Sequence, residues 1–181
     1  IIENNGKLVI AKGSVVIIDD EGNEIVTEKA EYDKLKDQLT TFESSKIILK
    51  NGYDINSGGI LYDNKNKVIL AQEESDLTDF DGNFISVDMF EYLVEKNLFS
   101  SRGNIRIVDV NKNKYFFKEI YVDTKKKEMI GSDISVVLDQ KTFGVSEESD
   151  PRFVGNEIFV SKNKSVLSKG VFTICKKRDG Q

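Results

Sequence analysis

The sequence predicts an all-β protein, a serpentine of antiparallel strands stacked in repeats of about thirty residues. Three observations carry this. First, Ala11–Asp33 reads AKGSVVIIDDEGNEIVTEKAEYD and Ser101–Asp123 reads SRGNIRIVDVNKNKYFFKEIYVD. Both run glycine, alternating β-branched residues, Asp, a polar turn, then an aromatic residue and Asp. Second, Tyr32, Tyr62, Tyr92 and Tyr121 are spaced by about thirty residues. Third, apolar residues alternate with a period of two at Val15 and Ile17, Ile47 and Leu49, Ile105 and Ile107, Ile134 and Val136, and Phe172 and Ile174. Such alternation marks strands with one buried face.

The elements follow in order. The first strand, Lys7–Asp19, is apolar, carries only Lys7 and Lys12 as charges before Asp19, and has no predicted strand before it. An unblunted edge of that kind suits strand addition by a partner. Turns then fall in two interleaved sets. One is rich in Asp, Asn and Gly: Asp19–Asn23, Asn51–Gly52, Asp79–Asn83 and Asn111–Asn113. These residues tolerate positive φ and mark hairpins. The other set follows an aromatic residue, at Tyr32, Tyr62, Tyr92, Tyr121 and Phe159. Each repeat is therefore two strands of about ten residues, each about 33 Å long. That exceeds the ordinary strand length. Such strands can bend midway and fold the sheet into two facing halves. Ser44–Ser45, and Ser100–Ser101 before Gly103, suit the bend.

Val87–Phe99 is the best helix candidate, but Tyr92 falls on the repeat, so it reads as another aromatic turn. Asp139–Asn156 breaks the period and holds the only proline, Pro151. It reads as an excursion that either gates or covers an end. The repeat resumes at Glu157–Val160 and closes in KGVFTIC.

Composition narrows the function. The 181 residues carry a net charge of −5, which argues against a general nucleic-acid partner. No apolar run approaches the roughly 18 residues of a membrane helix. No secretory leader opens the chain, and the start at Ile1 reads as that of a processed or trimmed fragment. There is no histidine, which removes Ser-His and Cys-His catalysis and the commonest zinc ligand. Cys175 stands alone and is either a free buried thiol or half of a bridge to something outside the segment.

Asp79–Asn83 reads as a plain turn, since it lacks the further acidic ligands of a calcium loop. The pairs Glu73–Glu74 and Glu147–Glu148 read as solvated loops, because neighbours on a strand face opposite ways. Asp123–Glu128, DTKKKE, reads as a solvated turn, with contact to lipid phosphates as the sharper alternative. With no shared cluster of acids or nucleophile, the chain is expected not to be an enzyme, and no cofactor is expected.

The segment Ala11–Asp33 resembles the OstA-type repeat of the lipopolysaccharide transport proteins. The arrangement DPR…GN…KGVFT-C, Asp150 to Cys175, is similar to the N-terminal periplasmic domain of the LptD family. The resemblance covers nearly the whole chain. It implies a single domain over 1–181, a β-jellyroll folded like a taco, continued by a C-terminal outer-membrane barrel. It implies a periplasmic location and a tether to the outer membrane through that barrel. The implied partners are lipopolysaccharide, an LptA-like bridge protein at the N-terminal edge strand, the barrel and an LptE-like lipoprotein. It further implies that Cys175 bridges to a cysteine outside this segment; no N-terminal cysteine partner is present.

The resemblance further implies that the core is also the lipid slot. The inner face is expected to carry Leu8, Val15, Ile17, Ile47, Leu49, Leu77, Ile105, Ile107, Ile134, Val136, Leu138, Phe172 and Ile174. Two alternatives stand beside this reading: a structural or adhesive β-solenoid that carries no lipid, and the LptA-like bridge component itself. A lipid route needs an interior reachable from both ends, whereas a solenoid core is packed shut.

Overall fold

The computed structural model describes residues 2–3, 6–50, 52–146 and 148–176; Asn51 and Glu147, named above in a turn and an acidic pair, lie outside them. The chain forms β1 (Ile2–Glu3), β2 (Leu8–Ile18), β3 (Glu24–Asp33), β4 (Gln38–Ile48), β5 (Asp54–Ser57), β6 (Leu61–Asp63), β7 (Val68–Ala71) and β8 (Ser75–Thr78). It continues through β9 (Phe84–Val87), β10 (Phe90–Leu93), β11 (Leu98–Val108), β12 (Lys114–Asp123) and β13 (Glu128–Val137). A single turn of helix, α1 (Gln140–Phe143), precedes β14 (Arg152–Ser161), β15 (Lys164–Ser168) and β16 (Val171–Thr173). Every pairing is antiparallel, and each rung lies beside its neighbours in sequence.

The thirty-residue period is written in the backbone. Positive φ recurs at Gly22, Gly52, Gly82 and Lys112 in one row of turns, and at Asp37, Lys67, Asn97 and Lys127 in the other. The first row uses one device three times. The carboxylates of Asp19, Asp79 and Asp109 accept from backbone and side-chain amides of Asn23, Asn83 and Asn113 respectively. Each Asn side-chain oxygen then accepts from a backbone amide of the next rung: Lys50, Val110 and Asp139. The second row is stitched by backbone bonds such as Asn64 to Asp37, Val94 to Lys67 and Thr124 to Asn97. Asp79–Asn83 is thus a turn whose acid is engaged by its own backbone.

The sheet folds along a crease. At both ends the strands cross it unbroken, marked by bulges at Gly13–Ser14, Glu43–Ser44 and Gly103–Asn104 and by a positive φ at Asp133. In the centre the crossing strands break: β4 pairs with β5 on one half and β6 on the other, β8 follows β5, and β7 follows β6. Buried hydroxyls line the broken crease. Ser45 bonds the hydroxyls of Thr27 and Thr41, Thr41 accepts from the Ile60 amide, and Ser75 bonds Ser57. These satisfy polar groups that the interrupted ladder cannot. Among the described residues no buried side-chain nitrogen or oxygen lacks a partner.

Several expectations need correction. The strand at Lys7–Asp19 does have a strand before it: β1 pairs with Leu8 and Val9, at the start of β2. Not every strand is about ten residues, because the central rungs are divided into pieces of three or four. The excursion after Asp139 ends sooner than predicted, since Arg152–Asn156 already belongs to β14. Val87–Phe99 is strand, turn and strand, as the repeat reading expects. Tyr121 departs from the tyrosine series. It lies 29 residues after Tyr92 instead of 30, and a one-residue change of phase flips a strand side chain to the other face. Val122 stands opposite Phe99 in its place. Tyr121 is outside and bonds Glu119 and Arg102.

Candidate functional site

Two columns of side chains face each other across the fold. Near the first turn row run Ile17, Ile25, Ile47, Ile55, Leu77, Ile85, Ile107, Tyr115, Val136 and Phe153. Near the second run Val9, Tyr32, Leu39, Tyr62, Ile69, Tyr92, Phe99, Val122, Met129 and Val160. One-sided alternation of large apolar residues makes both columns a continuous greasy interior.

The interior is not uniform. In the centre Ile47, Ile55, Ile69, Leu77, Val87, Phe90 and Tyr92 are buried and packed against one another. At each end the halves diverge. A cavity of about 450 Å³ opens at the C-terminal end, lined by Ile85, Phe99, Ile107, Tyr115, Phe117, Val122, Phe153 and Val160 among others. A second, of about 340 Å³, opens at the N-terminal end between Val9, Ala11, Val15, Ile17, Ala30, Tyr32, Leu39 and Tyr62. Both fall in the roughly 300–1,000 Å³ range of small-molecule pockets.

Polar groups sit at the rims. The Tyr115 hydroxyl donates to Asp109 at 2.9 Å, and burial with this acid pushes its pKa up to about 12. Burial, with Asp79 nearby, does the same to Tyr53. Both phenols are therefore neutral at ordinary pH. Lys127 borders the larger cavity and lies 3.6 Å from the centre of the Phe80 ring. Within the DTKKKE turn, Asp123 caps the backbone of Lys125 and Lys126, so the turn is ordered by its acid while Lys127 faces the groove. Among the described residues no three His, Cys, Asp or Glu stand close enough to hold a metal.

The expected inner-face residues divide as follows. Ile47, Leu49, Leu77, Ile105, Ile134 and Val136 are buried core. Val15 and Ile17 line the N-terminal cavity; Ile107 and Leu138 line the C-terminal one, as does Leu77. Leu8 is corrected: strand alternation puts it on the opposite face from Val9, which lines the cavity with Ala11. Phe172 stands opposite Phe153 in the inner register, but at the terminal edge it is 53% exposed, covered only in part by Phe143 of α1. Ile174 is also exposed. The excursion thus covers the C-terminal edge, with Thr142 bonded to Asn111 and Gln140 to Ser149. Cys175 is exposed, which removes the buried-thiol reading. Arg152 donates to its carbonyl at 2.7 Å and holds it at the surface.

The sequence reading missed Val9, Ala11, Tyr32 and Leu39 in the N-terminal pocket. Extending the Val15–Ile17 alternation backwards in steps of two lands on Ala11 and Val9, so β2 keeps one phase across the bulge and Leu8 falls on the opposite face. That alternation was the available signal for Val9 and Ala11.

No family profile and no curated protein matches the chain. Among solved structures it resembles LptH, the LptA-homologous periplasmic component of the lipopolysaccharide transport device from Pseudomonas aeruginosa. The TM-score is 0.53 at 11% identity, over 60% of this chain and 80% of LptH. The fold is the LptA-like β-jellyroll.

Proposed function

We propose that this chain is a non-catalytic, lipid-conducting module of the lipopolysaccharide transport apparatus, working in the periplasm. The observation that carries the reading is an LptA-like jellyroll with an apolar cavity at each end of one continuous inner column. Acyl chains would gain about 25 cal/mol per Å² of apolar area removed from water there. A packed solenoid offers no such space. Within that apparatus we favour the LptD-like position, receiving lipopolysaccharide from a bridge protein and passing it to an outer-membrane barrel. The Asp150–Cys175 arrangement supports it: Cys175 is held out at the surface, available to a cysteine beyond this segment. The LptA-like bridge role is the competing position, favoured by the likeness to LptH. In either position the edge of β2 from Ala11 to Ile18 would receive a partner strand.

The test is photo-crosslinking to lipopolysaccharide from Ile107, Tyr115 and the adjacent outward Arg106. Crosslinks from Ile107 and Tyr115 with none from Arg106 are expected. Equal yield from Arg106, or none from Ile107, overturns the lipid route.

A further inference from the structure

The two rows of turns are the lips of the groove, and they touch across its mouth. Lys67 of the second row reaches Asp20 of the first, with Nζ 3.5 Å from the carboxylate. Lys127 of the second row sits over Phe80 of the first at 3.6 Å. The repeat relates these contacts: Lys67 and Lys127 are sixty residues apart and both occupy the positive-φ position of their turns, and Asp20 and Phe80 are also sixty apart. Midway, the equivalent residues are Asn97 and Lys50. They border a gap of about 270 Å³ whose floor is Leu49, Tyr92 and Val94. The lips are therefore joined at two points and parted between them.

Each joined point stands beside an end cavity. Lys127 and Phe80 both line the larger one, while Tyr62 and Asn64, which line the smaller, adjoin Lys67 through the Asn64 oxygen at 3.0 Å. Both joints are weak by nature. Asp20 is 78% exposed, and pairs of that kind are screened by water. A ring holds an ammonium less firmly than a phosphate or carboxylate does in the same place.

We propose that Lys67 and Lys127 are clasps that hold the groove mouth closed, and that the anionic head of an amphiphile opens it by taking the lysine from Asp20 or Phe80. The inference rests on the lipid reading above. It assigns to two lysines the step by which the mouth opens sideways and admits a chain whose head stays outside. The ammonium remains protonated throughout, so the exchange needs no proton transfer, only a change of partner.

The experiment uses the whole chain with Cys175→Ser. Asp20→Cys with Lys67→Cys, and Phe80→Cys with Lys127→Cys, are combined and joined across the lips with a cleavable bismaleimide. Uptake is followed with a pyrene-labelled dodecyl phosphate and with the same chain bearing a neutral maltoside head. In the wild type the phosphate should enter at least fivefold faster than the maltoside, and Lys127→Ala with Lys67→Ala should erase that preference. The untethered cysteine variant should take up both probes faster than wild type. Tethering should slow uptake at least tenfold, and cleaving the linker should restore it, which separates closure from misfolding. Undiminished uptake after tethering, or equal uptake of the two probes by wild type, overturns the clasp and leaves the lipid reading standing. Failure of the wild type to take up either probe overturns both.

Discussion

The centre of this molecule and its two ends are built from the same repeat, yet one is packed shut and the others are open. In the centre, β5 to β10 stop at the crease, and small hydroxyl side chains and Gly58–Gly59 occupy it. The halves can then close until Ile55, Ile69, Leu77 and Tyr92 meet. At the ends, β2–β4 and β11–β14 cross the crease unbroken. A continuous ladder resists a sharp fold, so the halves splay and bulky Phe117, Ile120 and Ile134 stand at the bend. The comparison teaches that strand continuity at the crease, more than the hydrophobicity of the columns, sets where space is left inside.

The strongest way to break this comparison is a charge placed on each side of it. Val136 is fully buried, and Val136→Asp should cost several kcal/mol and leave the domain unfolded at room temperature. Ile107 borders the cavity, so in Ile107→Asp the carboxylate can keep water; the domain should fold, with a clearly lower melting temperature and impaired lipid binding. Thermal melts of both decide it, and equal loss would mean that the cavity is closed to water.

Truncation probes the same contrast more gently. Ile55→Ala in the packed centre should cost about 2–5 kcal/mol by denaturant unfolding. Ile85→Ala, on the cavity wall, should cost less than about half as much. Similar costs would refute the distinction between core and wall.

Overpacking sharpens it from the other direction. A Cβ on Gly131 would meet the Phe117 ring at 2.6 Å. Gly131→Ala should destabilise by about 1–3 kcal/mol and push Phe117 into the C-terminal cavity, reducing its capacity for an apolar probe. A stable variant with unchanged capacity would show that Phe117 does not shape the cavity.

The crease hydroxyls should matter by a smaller amount. Ser75→Ala removes bonds to Ser57 and to the Glu73 carbonyl and should cost about 1 kcal/mol in chemical unfolding. A neutral result would show that these hydroxyls do not support the broken crease.

The smallest effect belongs to the turns at the lips, which are common to the centre and the ends. Amide donors hold Asp63 and Asp123 below the ordinary carboxylate range, chiefly the backbone N–H of Asn66 and of Lys126. A carboxylate depressed in the fold stabilises it above the unfolded value, and that contribution is lost as pH falls through the folded one. Stability should therefore hold above about pH 5 and decline below about pH 4. Asp63→Asn with Asp123→Asn should make the decline shallower. An unchanged pH profile of the melting temperature would count against the turns as contributors.

Much of this was legible in the residues. Asp-x-x-x-Asn turns are local chemistry, since the acid and the amide they need lie within five residues of one another. Alternation likewise reports a buried face without knowledge of its partner. Leu8 and Tyr121 show where such reading stops. Leu8 lies one residue out of phase with Val9 and Ala11, and Tyr121 lies one residue short of the thirty-residue step from Tyr92 that Val122 completes. A shift of one residue along a strand puts the side chain on the other face.

By itself, then, the sequence determined an all-β serpentine with a thirty-residue period and two rows of turns, because each depends on contacts within one hairpin. It also determined that the interior would be apolar along its whole length. The tertiary structure alone decided that the interior is closed in the middle and open at both ends, that Arg152 would hold Cys175 at the surface, and that Lys67 and Lys127 would meet the opposite lip. The first and last of these depend on how two halves of one sheet meet across a crease, in the lips between residues 47 positions apart, and no local pattern encodes that distance.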